Sequence, residues 1–103
     1  MNGFEKVKKF LEELADDCIF FKQHFYERTI DRPINESLVR RSIKNTANLL
    51  AVEEQPARSL AERKYKLRIK LSNRYCLVLI VVIEGKSLYI ITGWNSDRKW
   101  LRK

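Results

Sequence analysis

The chain is short of the residues that build metal and cofactor sites. It has one histidine, His24, and two cysteines, Cys18 and Cys76, which lie beside apolar runs without any paired ligand spacing. Two buried thiols are the expected state, and a disulfide or a zinc site is not. With no carboxylate cluster either, metal-free chemistry without a cofactor is the enzymatic route the residues leave open. Long apolar stretches are missing too: the longest runs from Cys76 to Ile83, far short of the roughly 18 residues a membrane span needs. The first residues, MNGFEKVKKFLEELADD, interleave charge with apolar positions and contain no apolar signal region, so a cytoplasmic location is expected. Three glycines and two prolines are spread as punctuation, which argues against a linker, an internal repeat or a low-complexity segment.

What remains is enough for one folded unit. A chain of 103 residues with 45% hydrophobic and 11% aromatic content is a single small globular domain and not a disordered tail. Its organisation is read as a helical extension over 1–17, a core over 18–96 and a basic tail over 97–103. The formal charge is +8, and it is unevenly placed. Residues 1–21 hold three lysines against five acids, whereas residues 57–103 hold twelve cations against Glu62, Glu84 and Asp97. Such segregation makes a polyanion the expected partner, because clustered lysine and arginine gain affinity by releasing counterions.

Periodicity divides the chain into helices followed by strands. Phe4, Val7, Leu11, Leu14 and Cys18 recur at spacings of three and four, which predicts a helix from about Gly3 to Asp16. "CIFFK" is a short extended stretch. Asn35 caps a second pattern in which Leu38, Val39, Ser42 and Ile43 share a face, and Pro33 ends whatever helix precedes it. "NLLAVEE" reads as a strand and "QPARSLAER" as a loop or short helical turn. In the segment that follows, Tyr65, Leu67, Ile69 and Leu71 alternate with Lys64, Lys66, Arg68 and Lys70, the pattern of a half-buried strand with a cationic outer face. "YCLVLIVVIE" is a strand covered on both faces, and "SLYIITGW" is the last strand after the turn "EGK". The expected fold is therefore α+β, with N-terminal helices packed on an antiparallel sheet of three to four strands.

Two sets of residues are candidates for function. On a helix, His24, Arg28 and Arg32 stand at successive i, i+4 positions and can hold phosphates along one face. A histidine there can also take or give a proton near neutral pH, so His24 and Arg28 are the catalytic candidates and Arg32 a supporting cation. The bland alternative is a solvated face in which Glu27 and Asp31 neutralise the arginines. The second set is Lys66, Arg68 and Lys70 on the cationic strand, near Tyr65 and Tyr75, with Thr92 and Trp94 at the end of the last strand. These suit a surface that follows a sugar-phosphate backbone and stacks a base. Exposed strand lysines also guard against edge aggregation, and that reading carries equal weight.

The run His24-x3-Arg28-x3-Arg32-Pro33-Ile34-Asn35, followed by "SLVRRSI", resembles the signature H-A-x-x-R-x-x-x-R-G-I-[ST] of a small bacterial and archaeal domain family of unknown function. "KYKLRIKL", "CLVLIVVI" and "YIITGW" follow in the order that family shows, so the resemblance covers residues 18–96. Its layout is similar to that of the RelE and ParE toxins and of barnase-like and colicin-like ribonucleases. The resemblance implies a toxin-like RNA-binding domain with metal-independent endoribonuclease activity and, as a partner, an acidic antitoxin-like protein. It implies His24 and Arg28 in the active site, Arg32 in support and Thr92 as the polar group of the last strand. The second acid-base group is left open among Tyr26, Tyr65 and a strand lysine. Phe25 stands where the family has Ala and Pro33 where it has Gly, which implies a differently shaped approach to the cleft. Beside this reading stand a nucleic-acid-binding module without catalysis and a basic domain that meets an acidic protein.

Overall fold

The computed structural model describes residues 3–29, 34–56 and 62–97. Among them are three α-helices and five strands, in the order α1 (Gly3–Glu13), β1 (Ile19–Phe21), α2 (Gln23–Thr29), α3 (Glu36–Lys44), β2 (Leu49–Gln55), β3 (Arg63–Lys70), β4 (Tyr75–Glu84) and β5 (Ser87–Asp97). The α+β class is as expected, but the sheet is larger than the three to four antiparallel strands read from the sequence. It has five strands in the order β1-β5-β4-β3-β2. β2 to β5 form an antiparallel meander, and β1 adds to β5 in parallel through Ile19–Leu88, Phe20–Tyr89 and Phe21–Ile90. The chain leaves β1 at one edge and crosses the covered face through α2 and α3 to begin β2 at the other. A three-residue strand carries too little periodicity to announce its pairing, so the parallel edge is a product of tertiary packing.

α1 stops at Glu13, three residues before the expected end. The Leu14 N–H closes back on the Leu11 carbonyl at 3.3 Å, and a 3-10 turn follows at Asp16–Cys18. Arg40 of α3 donates to the Asp16 carbonyl at 2.9 Å and so holds this turn against the neighbouring helix. α3 begins where its cap predicts: the Asn35 side chain accepts from the Leu38 N–H at 2.9 Å.

The core lies between the helices and one face of the sheet. Val7, Leu11, Phe25, Val39 and Ile43 from the helices meet Leu67, Ile69, Leu77, Leu79, Val81, Leu88 and Ile90 from the strands. Phe25 is only 1% exposed, and burying a side chain of this size contributes about 2 kcal/mol. Two tight turns set the meander. Gly85, at φ +58°, takes the first central position of the β4–β5 turn, where a residue with a Cβ is strained. Between β3 and β4 the Ser72 hydroxyl accepts from the Arg74 and Tyr75 N–H groups at 3.2 and 3.1 Å. No helix among the described residues is long and apolar enough to cross a membrane.

Candidate nucleic-acid interface

The helices cover one face of the sheet, and strand register assigns the side chains of the other. In β3, Tyr65, Leu67 and Ile69 point into the core, so Lys64, Lys66, Arg68 and Lys70, each half-buried, lie on the face that carries no helix among the described residues, hereafter the helix-free face. Their β4 partners on that face are Val82, Ile80, Val78 and Cys76. The alternation read from the sequence is therefore realised with the polarity expected.

β5 departs from simple alternation. Val81 pairs with Ile90 and Ile80 with Thr92, which leaves Ile91 as an extra residue in a β-bulge. Without it Thr92 and Trp94 would keep the phase of Leu88 and Ile90 and point into the core. The bulge reverses the phase, because one inserted residue moves every later side chain to the opposite face. Thr92 now lies opposite Ile80, Trp94 opposite Val78, and Gly93 turns toward the core against Leu79. A Cβ built on Gly93 would lie 2.7 Å from Leu79 Cδ2 and 3.2 Å from the Val78 carbonyl oxygen, so this backbone approach admits only glycine without a shift. Thr92 and Trp94 were expected at the end of the last strand; both lie within it, and β5 continues to Asp97.

Aromatic rings complete the surface. Lys66 Nζ lies 5.8 Å from the centre of the Trp94 ring, so the two side chains meet across β4, where Lys66 stands opposite Ile80 and Trp94 opposite the fully buried Val78. At the β1 edge Phe20 stacks on Tyr89 with centroids 5.3 Å apart, and Lys22 Nζ sits 4.7 Å over the same Tyr89 ring. Phe20 is 44% exposed. The face thus presents two aromatic platforms, Phe20–Tyr89 and Trp94, each carrying a lysine, beside a row of four cations. Phe20, Tyr89 and Lys22 were not among the sequence candidates. Their signal was present in the alternation of "CIFFK" and "SLYIIT", but reading it required knowing which side the helices cover.

The tyrosines expected beside the cations lie elsewhere. Tyr65 is in the core at 9% exposure, which removes it as an acid-base group at the surface, and Tyr75 is an exposed ring at the start of β4 under Arg74, at 5.3 Å.

The histidine set is built on the other layer. α2 packs by Phe25 against Phe21, with centroids 4.9 Å apart, on the helix-covered side of the sheet. Phe25 fills the core. His24, next to it, is 47% exposed, and its Nδ1 lies 3.8 Å from Glu27 Oε2. Arg28 follows one turn later within α2. Arg32 lies outside the described residues, and α2 is described from Gln23 to Thr29. The structure therefore keeps His24 and Arg28 together on α2 and gathers Lys66, Arg68, Lys70, Thr92 and Trp94 on the opposite side of the sheet. Tyr26, another of the acid-base candidates, donates its hydroxyl to Glu36 Oε1 and ties α2 to α3. That hydrogen bond to Glu36, followed by partial burial and the Glu36 charge, raises the Tyr26 hydroxyl above its ordinary pKa.

Comparison of the chain with protein-family models, with curated proteins and with solved structures found no match.

Proposed function

We propose that the helix-free face of the sheet binds single-stranded RNA. The observation that carries this reading is the placement of four cations at every second residue of β3 beside two aromatic platforms on the same face. Alternate strand residues recur about every 6.6 Å, a spacing on the scale of successive phosphates in an extended strand. Backbone cations and stacked bases together form the usual surface for single strands, in which charge supplies affinity and rings accept any base. A lysine over an aromatic ring keeps that ring's second face partly desolvated and is readily displaced by a base, since such cation–π contacts at exposed sites are worth only about 0.5–1 kcal/mol.

This reading supports binding ahead of cleavage. Metal-free cleavage by His24 needs an imidazole and phosphate-binding cations at one phosphate. The exposed His24 imidazole beside Glu27 keeps a toxin-like, RNA-cleaving function as the second reading, with Arg28 as its nearest cation in the helix. Purified protein incubated with mixed cellular RNA in EDTA separates the two. Slower RNA mobility on a native gel, equal for wild type and His24→Ala and weakened in a Lys66→Gln, Lys70→Gln variant, is the expected result. RNA fragments from the wild type and not from His24→Ala would overturn the non-catalytic reading. Absence of any RNA affinity, with a stable complex on an acidic protein, would overturn both.

A further inference from the structure

At one end of the helix-free face, next to the Phe20–Tyr89 platform, lies a cavity of about 410 Å³ lined by Lys22, Glu62, Lys64, Glu84, Tyr89 and Ile91. Its volume falls within the about 300–1,000 Å³ of small-ligand sites. Its chemistry differs from the rest of the face. The row from Lys66 to Lys70 faces one carboxylate, Glu53 opposite Lys66 on β2, whereas here two carboxylates stand among lysines. Neither Glu62 nor Glu84 makes an ion pair or a hydrogen bond among the described residues, so their oxygens are uncommitted acceptors.

We infer that this pocket receives one base of the bound strand and selects guanine; the inference rests on the RNA reading above. An ionised carboxylate only accepts, and it is best matched by two adjacent N–H donors. Guanine alone among the four bases presents such a pair, N1–H and the N2 amino group, with the O6 acceptor beside it for a lysine. Adenine and cytosine place a ring acceptor next to their amino group, and uracil places a single N–H between two carbonyls, so each sets a lone pair against a carboxylate oxygen. Tyr89 and Ile91 give the base a stacking and apolar surface. Lys22 and Lys64 supply the donor for O6 and a contact for the adjoining phosphate, and they offset the repulsion that Glu62 and Glu84 exert on it.

The test uses the full chain and two labelled oligonucleotides, eight uridines and the same strand with one central guanosine, compared by fluorescence anisotropy at one salt concentration. Wild type is expected to bind the guanosine strand about tenfold more tightly, the discrimination of one good bidentate contact. In the Glu62→Gln, Glu84→Gln variant, where each amide replaces one acceptor by a donor, the preference is expected to vanish while affinity for the uridine strand stays the same or rises. Equal affinities for the two strands in wild type, or a preference that survives in the variant, would overturn the guanine pocket and leave RNA binding standing. If neither strand binds, the RNA reading fails. The pocket is then decided by an NMR titration with guanosine 5′-monophosphate against adenosine 5′-monophosphate: shifts at Tyr89 and Ile91 with the first alone sustain it, and no such shifts refute it.

Discussion

Neutralising two lysines of the cationic strand should change the salt dependence of RNA binding by an amount set by the geometry. Lys64, Lys66, Arg68 and Lys70 all project from the helix-free face, so a strand lying along β3 meets four cations. For single strands log Kobs falls with log[salt] at about 0.7 per neutralised phosphate, which gives a slope of about −2.8 for four contacts. Between 50 and 200 mM salt the affinity should then fall about 50-fold. Replacing Lys66 and Lys70 by glutamine leaves two contacts, a slope of about −1.4 and a loss of about sevenfold over the same range. Glutamine keeps part of the aliphatic stem, so packing is largely preserved while the charge is removed. The assay is fluorescence anisotropy of an oligouridine at five or six salt concentrations. A control variant, Arg41→Gln with Lys44→Gln, removes the same charge from α3 in the helix layer and should leave the slope near −2.8. If both variants flatten the slope equally, binding follows total charge and not the helix-free face, and the assignment of the face is refuted.

Two further predictions address the framework behind that face. Gly93→Ala should destabilise the fold by about 1 kcal/mol, because the new methyl lies against Leu79 and the Val78 carbonyl in a packed sheet; urea denaturation measures this, and an unchanged midpoint would mean that Leu79 yields freely. Because its folded pKa is raised, Tyr26 contributes stability that is fully present below the ordinary tyrosine pKa of about 10 and is lost as pH rises through the folded value. Glu36→Gln should return the phenol toward that ordinary value, readable as an earlier Tyr26 resonance shift in an NMR pH titration; an unmoved titration would show that Glu36 is not the cause.

Much of the architecture was legible because hydrophobic period and secondary structure are tightly coupled. Val7 and Leu11 on α1, Val39, Ser42 and Ile43 on α3, and the alternating residues of β3 bury the sides their spacing predicts. The Asn35 cap was legible for a local reason, since a side chain reaching a backbone N–H three residues away needs nothing from the rest of the fold. The candidate site was legible in part. Lys66, Arg68, Lys70 and Trp94 do share a surface, but the histidine motif was readable as a face only if its helix ran on to Arg32. Arg32 lies outside the described residues, so the structure places only His24 and Arg28 of that motif, both on α2.

The sequence by itself determined which residues alternate, where the charge is concentrated and which helical stripes must be buried, because these follow from spacing along one chain. Only the tertiary structure decided which side of each strand became surface. Three events did so: the parallel addition of β1 that set Phe20 against Tyr89, the docking of α2 through Phe25 that placed His24 in the helix layer, and the bulge at Ile91 that turned Thr92 and Trp94 outward. Each depends on contacts between segments distant in sequence, where one residue of register reverses a whole face, and local periodicity carries no information about that choice.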